Sequence, residues 1–367
     1  MRVALVIPGG VDRSGEVRVI PALLALIERL SRLNDVQVFV LRQEPDPGQW
    51  QLSGAVIHNI GVRHTRPRAI RAILALHRDR RFDLIHAIWS GNCGLIAVIA
   101  AKLLGLPSLI HIAGGEVVAL PEVDFGGMCT WRGRLRESWV LRRASAITAA
   151  SAPVIRRLAE LGFSAQRVPL GVDLGRWPPR APRPRSCERL PRLIHVASLN
   201  RVKDQTTLLR ALAVLARSGL RFHMDIVGED ILGGRINTLA TELELASYVR
   251  FHGFLTQRQL RPLIEAADLM IHSSCYETGP LVLLEAAVVG VPTVGTGVGH
   301  FTEWAPAAAV AVPVGDYQAI AAAVARLLED DPLRVRIAEA AALRAVHEDA
   351  DHTASLVQQL YARLVPA

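Results

Sequence analysis

Residues 269–299 read LMIHSSCYETGPLVLLEAAVVGVPTVGTGVG. An apolar strand, Leu269–His272, ends in a polar turn. Gly279-Pro280 then opens an amphipathic helix, Leu281–Val289, and Gly290-Val291-Pro292 leads into a second strand at Thr293–Val294. Proline near the first helical turn costs no hydrogen bond, and the N–H groups after it have no partner within the helix. Such a terminus is an anion site that suits a diphosphate. Glu277 stands in the loop before the helix and Glu285 inside it, so Glu277 can reach sugar hydroxyls while Glu285 accepts from a ribose diol. Either glutamate alone also fits an ordinary cap or surface salt bridge; the whole strand–loop–helix pattern is what points to a site.

The same alternation extends in both directions. Strands are expected at Arg2–Ile7, Val36–Leu41, Leu84–Ala87, Ser108–Ile112 and Ala146–Ala149, with helices at Arg18–Arg32, Arg68–Arg80, Cys93–Leu104 and Ala152–Leu161. A second series runs Leu193–Ala197, Gln205–Arg217, His223–Val227, Arg235–Leu243, Val249–Phe251 and Gln257–Ala266 before it reaches the opening segment. Short strands alternating with amphipathic helices make parallel, doubly wound sheets. The fold class expected is therefore α/β, as two Rossmann-like domains: 1–175, and 193–349 beyond a proline-rich linker at 176–192. A final helix within 350–367 is expected to pack back on the first domain. Two such domains put a cleft between the carboxyl ends of their strands, where open α/β sheets bind ligands.

At 367 residues and 50% hydrophobic, the chain can bury two cores. Its net charge of +8 is carried by arginine, with Lys102 and Lys203 the only lysines. That balance suits nucleotide phosphates or an acidic membrane surface; no nucleic-acid recognition module accompanies it. The helix around Arg63–Arg81 carries an arginine face that either meets an anionic membrane or is simply solvated. Cys93, Cys129, Cys187 and Cys275 lie far apart, which suggests neither a disulfide framework nor a zinc site. No segment reads as a transmembrane helix or a signal peptide, and a cytoplasmic location follows as the expectation.

Glu277-Thr278-Gly279-Pro280-Leu281-Val282-Leu283-Leu284-Glu285 resembles the E-x7-E segment of the retaining glycosyltransferases of family four, and Gly290-Val291-Pro292-Thr293-Val294 resembles their G-x-P-V-V strand entry. Val196–Asp204 resembles the family's first strand and phosphate loop, Ile226-Val227-Gly228 its VG-x-G turn, and Val249–Phe254 its base-binding strand. In the first half Gly9-Gly10, Asp83–Ala87 and Ile110–Glu116 resemble the glycine loop, the D-x-x-H strand end and the H-G-x-D turn. Gly171-Val172-Asp173 resembles the N-G-V-D that closes the first domain.

The resemblance implies the GT-B fold, with an acceptor domain followed by a donor domain. It implies that Lys203 binds a donor diphosphate beside Gly10, Ser198 and Arg201, and that Gly253 and Phe254 hold the base. Glu285 takes the ribose, while Glu277, Gly279, Pro280, Leu281 and Val282 hold the transferred sugar. His86 and Glu116 then face the acceptor. The family's arginine five or six residues before the lysine is replaced by Ser198 and Ala197. Arg201 either supplies that cation or is a solvent-facing loop residue. Ala113 stands where the family often has histidine; His111, two residues earlier, either substitutes for it or packs within its strand.

Lys203, Glu277 and His111 are thus the catalytic candidates. The implied reaction moves a hexose-type sugar, with retention and without a metal, from a UDP-, GDP- or ADP-sugar to a glycan or lipid-linked acceptor. Cell-envelope or extracellular polysaccharide synthesis is the expected setting. A disaccharide phosphorylase and a non-catalytic nucleotide-sugar-binding homologue remain as alternatives. A glycoside hydrolase using Glu277 and Glu285 leaves the phosphate loop without purpose, and no G-x-G-x-x-G follows a strand to suit a dehydrogenase.

Overall fold

β1 (Arg2–Ile7, RVALVI) is buried along its whole length, as a strand covered on both faces must be. It lies near the middle of the first of two compact units in the computed structural model, which describes residues 1–186 and 188–366. Cys187 lies outside the described residues; among the described residues Cys93, Cys129 and Cys275 are not joined by disulfides. The first unit is Met1–Asp173 together with the chain from Glu348 onward, and the second is Leu174–His347.

In the first unit β1 is followed by α1 (Pro21–Ser31), β2 (Asp35–Val40), β3 (Gly48–Leu52), β4 (Ala55–Asn59), α2 (Thr65–Asp79), β5 (Leu84–Ile88), α3 (Leu95–Leu104), β6 (Ser108–Ile112), α4 (Trp131–Arg143), β7 (Ala146–Ala149), α5 (Ala152–Glu160) and β8 (Gln166–Arg167). Among the described residues the sheet order is β3-β4-β2-β1-β5-β6-β7-β8. The strands are parallel except β3, which pairs antiparallel with β4. Ala4, Val6, Ile85 and Ile110 pack under the layer that includes α2, α3 and α4, while Val3, Leu5, Ile88 and Leu109 face α1 and the C-terminal helix.

The β3–β4 hairpin and α4 were not among the expected elements. Pro45 and Pro47 precede a strand too short for its alternation to stand out, and α4 carries arginines on most of its turns. Its start is nonetheless encoded locally, by Thr130 Oγ1 accepting from Gly133 N–H at 3.0 Å. α1 begins three residues later than expected because Pro21 takes the first helical position.

The second unit runs β9 (Arg192–Val196), α6 (Gln205–Arg217), β10 (His223–Val227), α7 (Arg235–Glu242), β11 (Val249–Gly253), α8 (Gln257–Ala266), β12 (Leu269–His272), α9 (Leu281–Val288), β13 (Thr293–Thr296), α10 (His300–Trp304), β14 (Val310–Val312), α11 (Tyr317–Glu329) and α12 (Asp331–His347). Its sheet, β11-β10-β9-β12-β13-β14, is wholly parallel. Winding outward in both directions from β9 and β12 is the Rossmann order.

The proline-rich stretch expected as a linker is instead bound along this second unit. Trp177 is 2% exposed, and Arg180 N–H donates to Val288 O at 2.9 Å. The Arg185 amide reaches Asp331 at 3.2 Å, and Arg189 pairs with the buried Asp268. Arg334, 2% exposed, donates to Arg183 O at 2.6 Å.

α13 (Ala350–Leu364) packs on α1 in the first unit. Arg29 bonds Asp351 at 2.8 Å, Asn34 bonds Gln358 at 3.0 Å, and Thr353 Oγ1 donates to Pro169 O at 2.7 Å. Tyr361 on the same helix is fully buried; a side chain of that size contributes roughly 2–3 kcal/mol by burial.

Candidate functional site

The crevice at which an open sheet binds ligands lies where its winding reverses, at the carboxyl ends of the two strands involved. In the second unit those strands are β9 and β12. The loop after β9 carries Lys203 and the loop after β12 carries Glu277.

The loops are joined to each other. Cys275 N–H donates to Val202 O at 2.7 Å, and Ser273 Oγ donates to Lys203 O at 2.8 Å. Asn200 Oδ1 accepts from the Val202 and Lys203 amides, each at 3.0 Å, and turns the chain toward α6. Lys203 Nζ meets Glu277 Oε1 in an ion pair. His272 Nε2 lies 2.8 Å from the same oxygen, and Ser274 Oγ donates to it at 2.7 Å.

One carboxylate oxygen thus gathers three partners. Burial by itself would raise the pKa of Glu277, but the charge of Lys203 and the contact with His272 hold it well below the usual carboxylate range. Glu277 is therefore an anion at neutral pH, held in one position.

His272, Ser274 and Glu277 were not read together from the sequence; only Glu277 was singled out. His272 ends β12 and stacks on Phe301 at 5.5 Å between ring centroids. His195 lies behind it, with Nδ1 on Ile271 O at 2.9 Å and Nε2 near the Gln205 amide at 3.2 Å. Burial lowers the His195 pKa to about 3, so it stays neutral.

Pro280 caps α9, and the first helical residues, Leu281 and Val282, are half-buried. Gly279 is sterically required: a Cβ there would lie 2.6 Å from His300 Nε2. Glu285, 2% exposed, accepts at Oε1 from Gln257 Nε2 at 2.9 Å, while its buried Oε2 has no hydrogen-bond partner. Burial raises this carboxyl to a pKa of about 7, against the lowering effect of the Gln257 bond.

Gly228 brings the ends of β9 and β10 together, since a Cβ there would fall 1.9 Å from Ala197 O. Its N–H reaches Gly253 O at 2.8 Å and so fixes the end of β11 beside them. Phe254 beyond it is 55% exposed, an aromatic face left uncovered. Ser198 and Arg201 are both exposed. The carbonyl of Ser198 accepts from Gln205 Nε2 at 3.1 Å. At Arg201 it is the backbone carbonyl, 4.0 Å from Cys275 Sγ, that meets the neighbouring loop.

The first-unit candidates come out differently. His86 and His111 are 1% and 2% exposed within β5 and β6. Their Nδ1 atoms lie 2.7 Å from the Tyr361 hydroxyl and 2.9 Å from Thr148 Oγ1. Burial lowers them to about 3 and about 4. As placed, neither presents an edge to solvent, so His86 as an acceptor contact and His111 as a catalytic substitute are corrected to interior packing residues.

Glu116, 7% exposed, spends its oxygens on the amides of Ser90 (3.2 Å), Ala113 (3.3 Å) and Gly114 (2.6 Å). It braces the ends of β5 and β6, and burial lifts it to about 7 despite those bonds. The brace encloses Trp89 at φ +71° and a π-helical turn, Ser90–Gly94, features that nothing in the sequence pattern announced. The Gly10 amide is already taken by Gln43 Oε1 at 2.8 Å, so this position offers close approach and no free donor.

Residues 19–171 match the family model described as "Glycosyl transferase 4-like domain", and residues 182–344 match "Glycosyl transferases group 1". Glycogen synthase of Mycobacterium tuberculosis is 30% identical over 335 residues, 88% of this chain and 80% of that protein. The putative glycosyltransferase EpsF of Bacillus subtilis is 29% identical over 236 residues, 60% of this chain and 59% of that protein's own length. Among solved structures, sucrose-phosphate synthase from Thermosynechococcus elongatus superposes with a TM-score of 0.85 at 20% identity, covering 99% of both chains. Anabaena HepE in complex with UDP-glucose superposes at 0.77 and 18% identity, covering 99% of this chain and 100% of that one. With two Rossmann-like units, both family models matched and a relative shared across most of its length, the chain belongs to the family-four glycosyltransferases of the GT-B fold.

Proposed function

We propose that this glycosyltransferase moves a hexose-type sugar from a nucleoside diphosphate sugar to a glycan or lipid-linked acceptor, with retention at the anomeric carbon and without a metal. The observation that carries the reading is the cluster at the β9/β12 winding reversal. There a fixed cation, Lys203, and an ionised Glu277 stand side by side, with the half-satisfied carboxyl of Glu285 on the helix that follows.

Lys203 and the first-turn amides of α9 supply positive charge to a departing diphosphate. Glu277, locked by His272 and Ser274, accepts from hydroxyls of the transferred sugar and positions it without forming a covalent bond. The bond from the anomeric carbon to the phosphate oxygen breaks, and the bond to the acceptor oxygen forms on the same face. The acceptor proton passes to the leaving phosphate. HepE, solved with UDP-glucose, and glycogen synthase support a nucleotide-hexose donor and a glycan product. Cell-envelope or extracellular polysaccharide synthesis, on the cytoplasmic side where such donors are made, completes the proposal.

Peripheral contact with an anionic membrane belongs to the same reading, but α4 carries it better than α2. On α2 the apolar residues turn inward: Ile73 is buried, and Ile70 and Leu76 pack on the core. On α4, Trp131 and Leu135 are 63% and 62% exposed, one turn apart and flanked by the exposed Arg132, Arg134, Arg142 and Arg143. Basic residues around exposed Trp and Leu are what an interfacial helix presents. No described helix is long and apolar enough to cross a membrane.

Thermal stabilisation by UDP, GDP, ADP and their sugar conjugates, alongside the Glu285→Ala variant, tests the donor reading. Selective stabilisation by one nucleotide, lost in the variant and accompanied by sugar transfer, supports it. No stabilisation by any nucleotide sinks it, and binding without transfer points to the non-catalytic alternative.

A further inference from the structure

Three side chains in the second unit, the buried Trp177 and Glu285 and the half-buried Gln257, form a chain of hydrogen bonds with a fixed polarity. Trp177 Nε1 donates to Gln257 Oε1, and Gln257 Nε2 donates to Glu285 Oε1 at 2.9 Å. Indole N–H is only a donor and an ionised carboxylate only an acceptor. The amide of Gln257 can therefore satisfy both neighbours in one orientation alone, with its oxygen toward Trp177 and its nitrogen toward Glu285.

The three residues come from separate parts of the unit: the proline-rich stretch, the first position of α8, and the second turn of α9. Trp177 and Glu285 are each 2% exposed, so the chain is shielded from water where it matters. At its end Glu285 Oε2 is buried and has no hydrogen-bond partner. A buried acceptor left empty is costly, and a ligand hydroxyl is the group that would fill it. α8 itself follows the end of β11, where Gly253 and Phe254 lie.

We propose that Trp177 and Gln257 are positioning residues for the ribose of the donor: they hold Glu285 by Oε1 so that Oε2 accepts from a ribose hydroxyl. This rests on the donor-site reading above and adds the residues that set its preference for ribose over deoxyribose. It gives Trp177 a task beyond filling the core, because its N–H anchors the oxygen of the Gln257 amide whose nitrogen faces Glu285. Without that N–H only Glu285 itself orients the amide, and the Nε2 donor is held less firmly. Burial raises the Glu285 carboxyl to about 7, and the Gln257 donor works against that rise by favouring the ionised form that accepts from a hydroxyl.

The test compares dissociation constants, by calorimetry on the full chain, for the tightest-binding of UDP, GDP and ADP and for its 2′-deoxy counterpart. Wild type is expected to prefer the ribonucleotide by about tenfold or more, the worth of a hydrogen bond to a charged group. Gln257→Leu and Trp177→Phe should each shrink that ratio severalfold, as Glu285→Gln should, with the loss falling mainly on the ribonucleotide. Equal weakening of both nucleotides in the two relay variants would show a purely structural role and overturn the proposal. Loss of the preference in Glu285→Gln alone would leave the donor site standing and the relay refuted. Failure of wild type to bind any nucleoside diphosphate removes the donor reading and this proposal with it. Trp177→Phe keeps the ring buried, so it carries the test should Gln257→Leu fail to fold.

Discussion

Two glutamates eight residues apart in sequence sit at opposite ends of the carboxyl range. Glu277 is held ionised by Lys203 and His272, whereas Glu285, with a single amide donor, rises to about 7. Their stability contributions therefore run in opposite directions with pH. The folded protein keeps a proton on Glu285 between its ordinary value of 4.5 and about 7, where the unfolded chain has released it. Stability linked to this group falls as pH rises through that window and stays low above it. Glu285→Gln should match wild type near pH 4.5 and exceed it at pH 8 by up to roughly 3 kcal/mol, at 1.36 kcal/mol per pH unit; denaturant titration at the two pH values reads the difference. Lys203→Met should lower kcat/KM for transfer by about 100-fold or more, the scale of losing one fixed charge on a leaving group. Unchanged steady-state kinetics would remove Lys203 from the chemistry.

At the scale of elements, the strand–loop–helix run from β12 to α9 was legible because its signals are local: an apolar strand, a Gly-Pro helix start, a carboxylate on either side. Helix α4 was not legible, since five arginines mask its periodicity and two of its apolar residues, Trp131 and Leu135, are turned outward. That exposure makes a measurable prediction. Co-sedimentation with vesicles containing anionic lipid should fall severalfold in a Trp131→Ser, Leu135→Ser double variant, while vesicles of neutral lipid bind neither protein. Retention of binding in that variant, together with loss on replacing α2 arginines such as Arg68 and Arg71, would assign the contact to α2 instead. The proline-rich stretch shows the reverse case. Its composition reads as a spacer, yet Trp177, Arg180, Arg185 and Arg189 each find a partner on the second unit.

On the whole-molecule scale, the chain's last helix returns to the first unit and closes its core around His86. The Tyr361 hydroxyl is that histidine's partner, and burial pushes both groups toward their neutral forms. Tyr361→Phe keeps the ring but leaves His86 Nδ1 buried and unpaired, so urea unfolding should show a loss of about 1–3 kcal/mol; no change would mean that water or another group replaces the hydroxyl. Sequence alone determined the class of fold, the number of units, and the two loops that carry Lys203 and Glu277, because periodicity and helix starts are written in neighbouring residues. Tertiary structure alone decided that His111 and His86 face inward, that Glu116 is a brace, that His272 and Ser274 grip Glu277, and that Trp177 reaches Glu285 through Gln257. Those are matters of burial and of contacts between residues far apart in the chain, and no local pattern encodes which distant side chain will satisfy a buried polar atom.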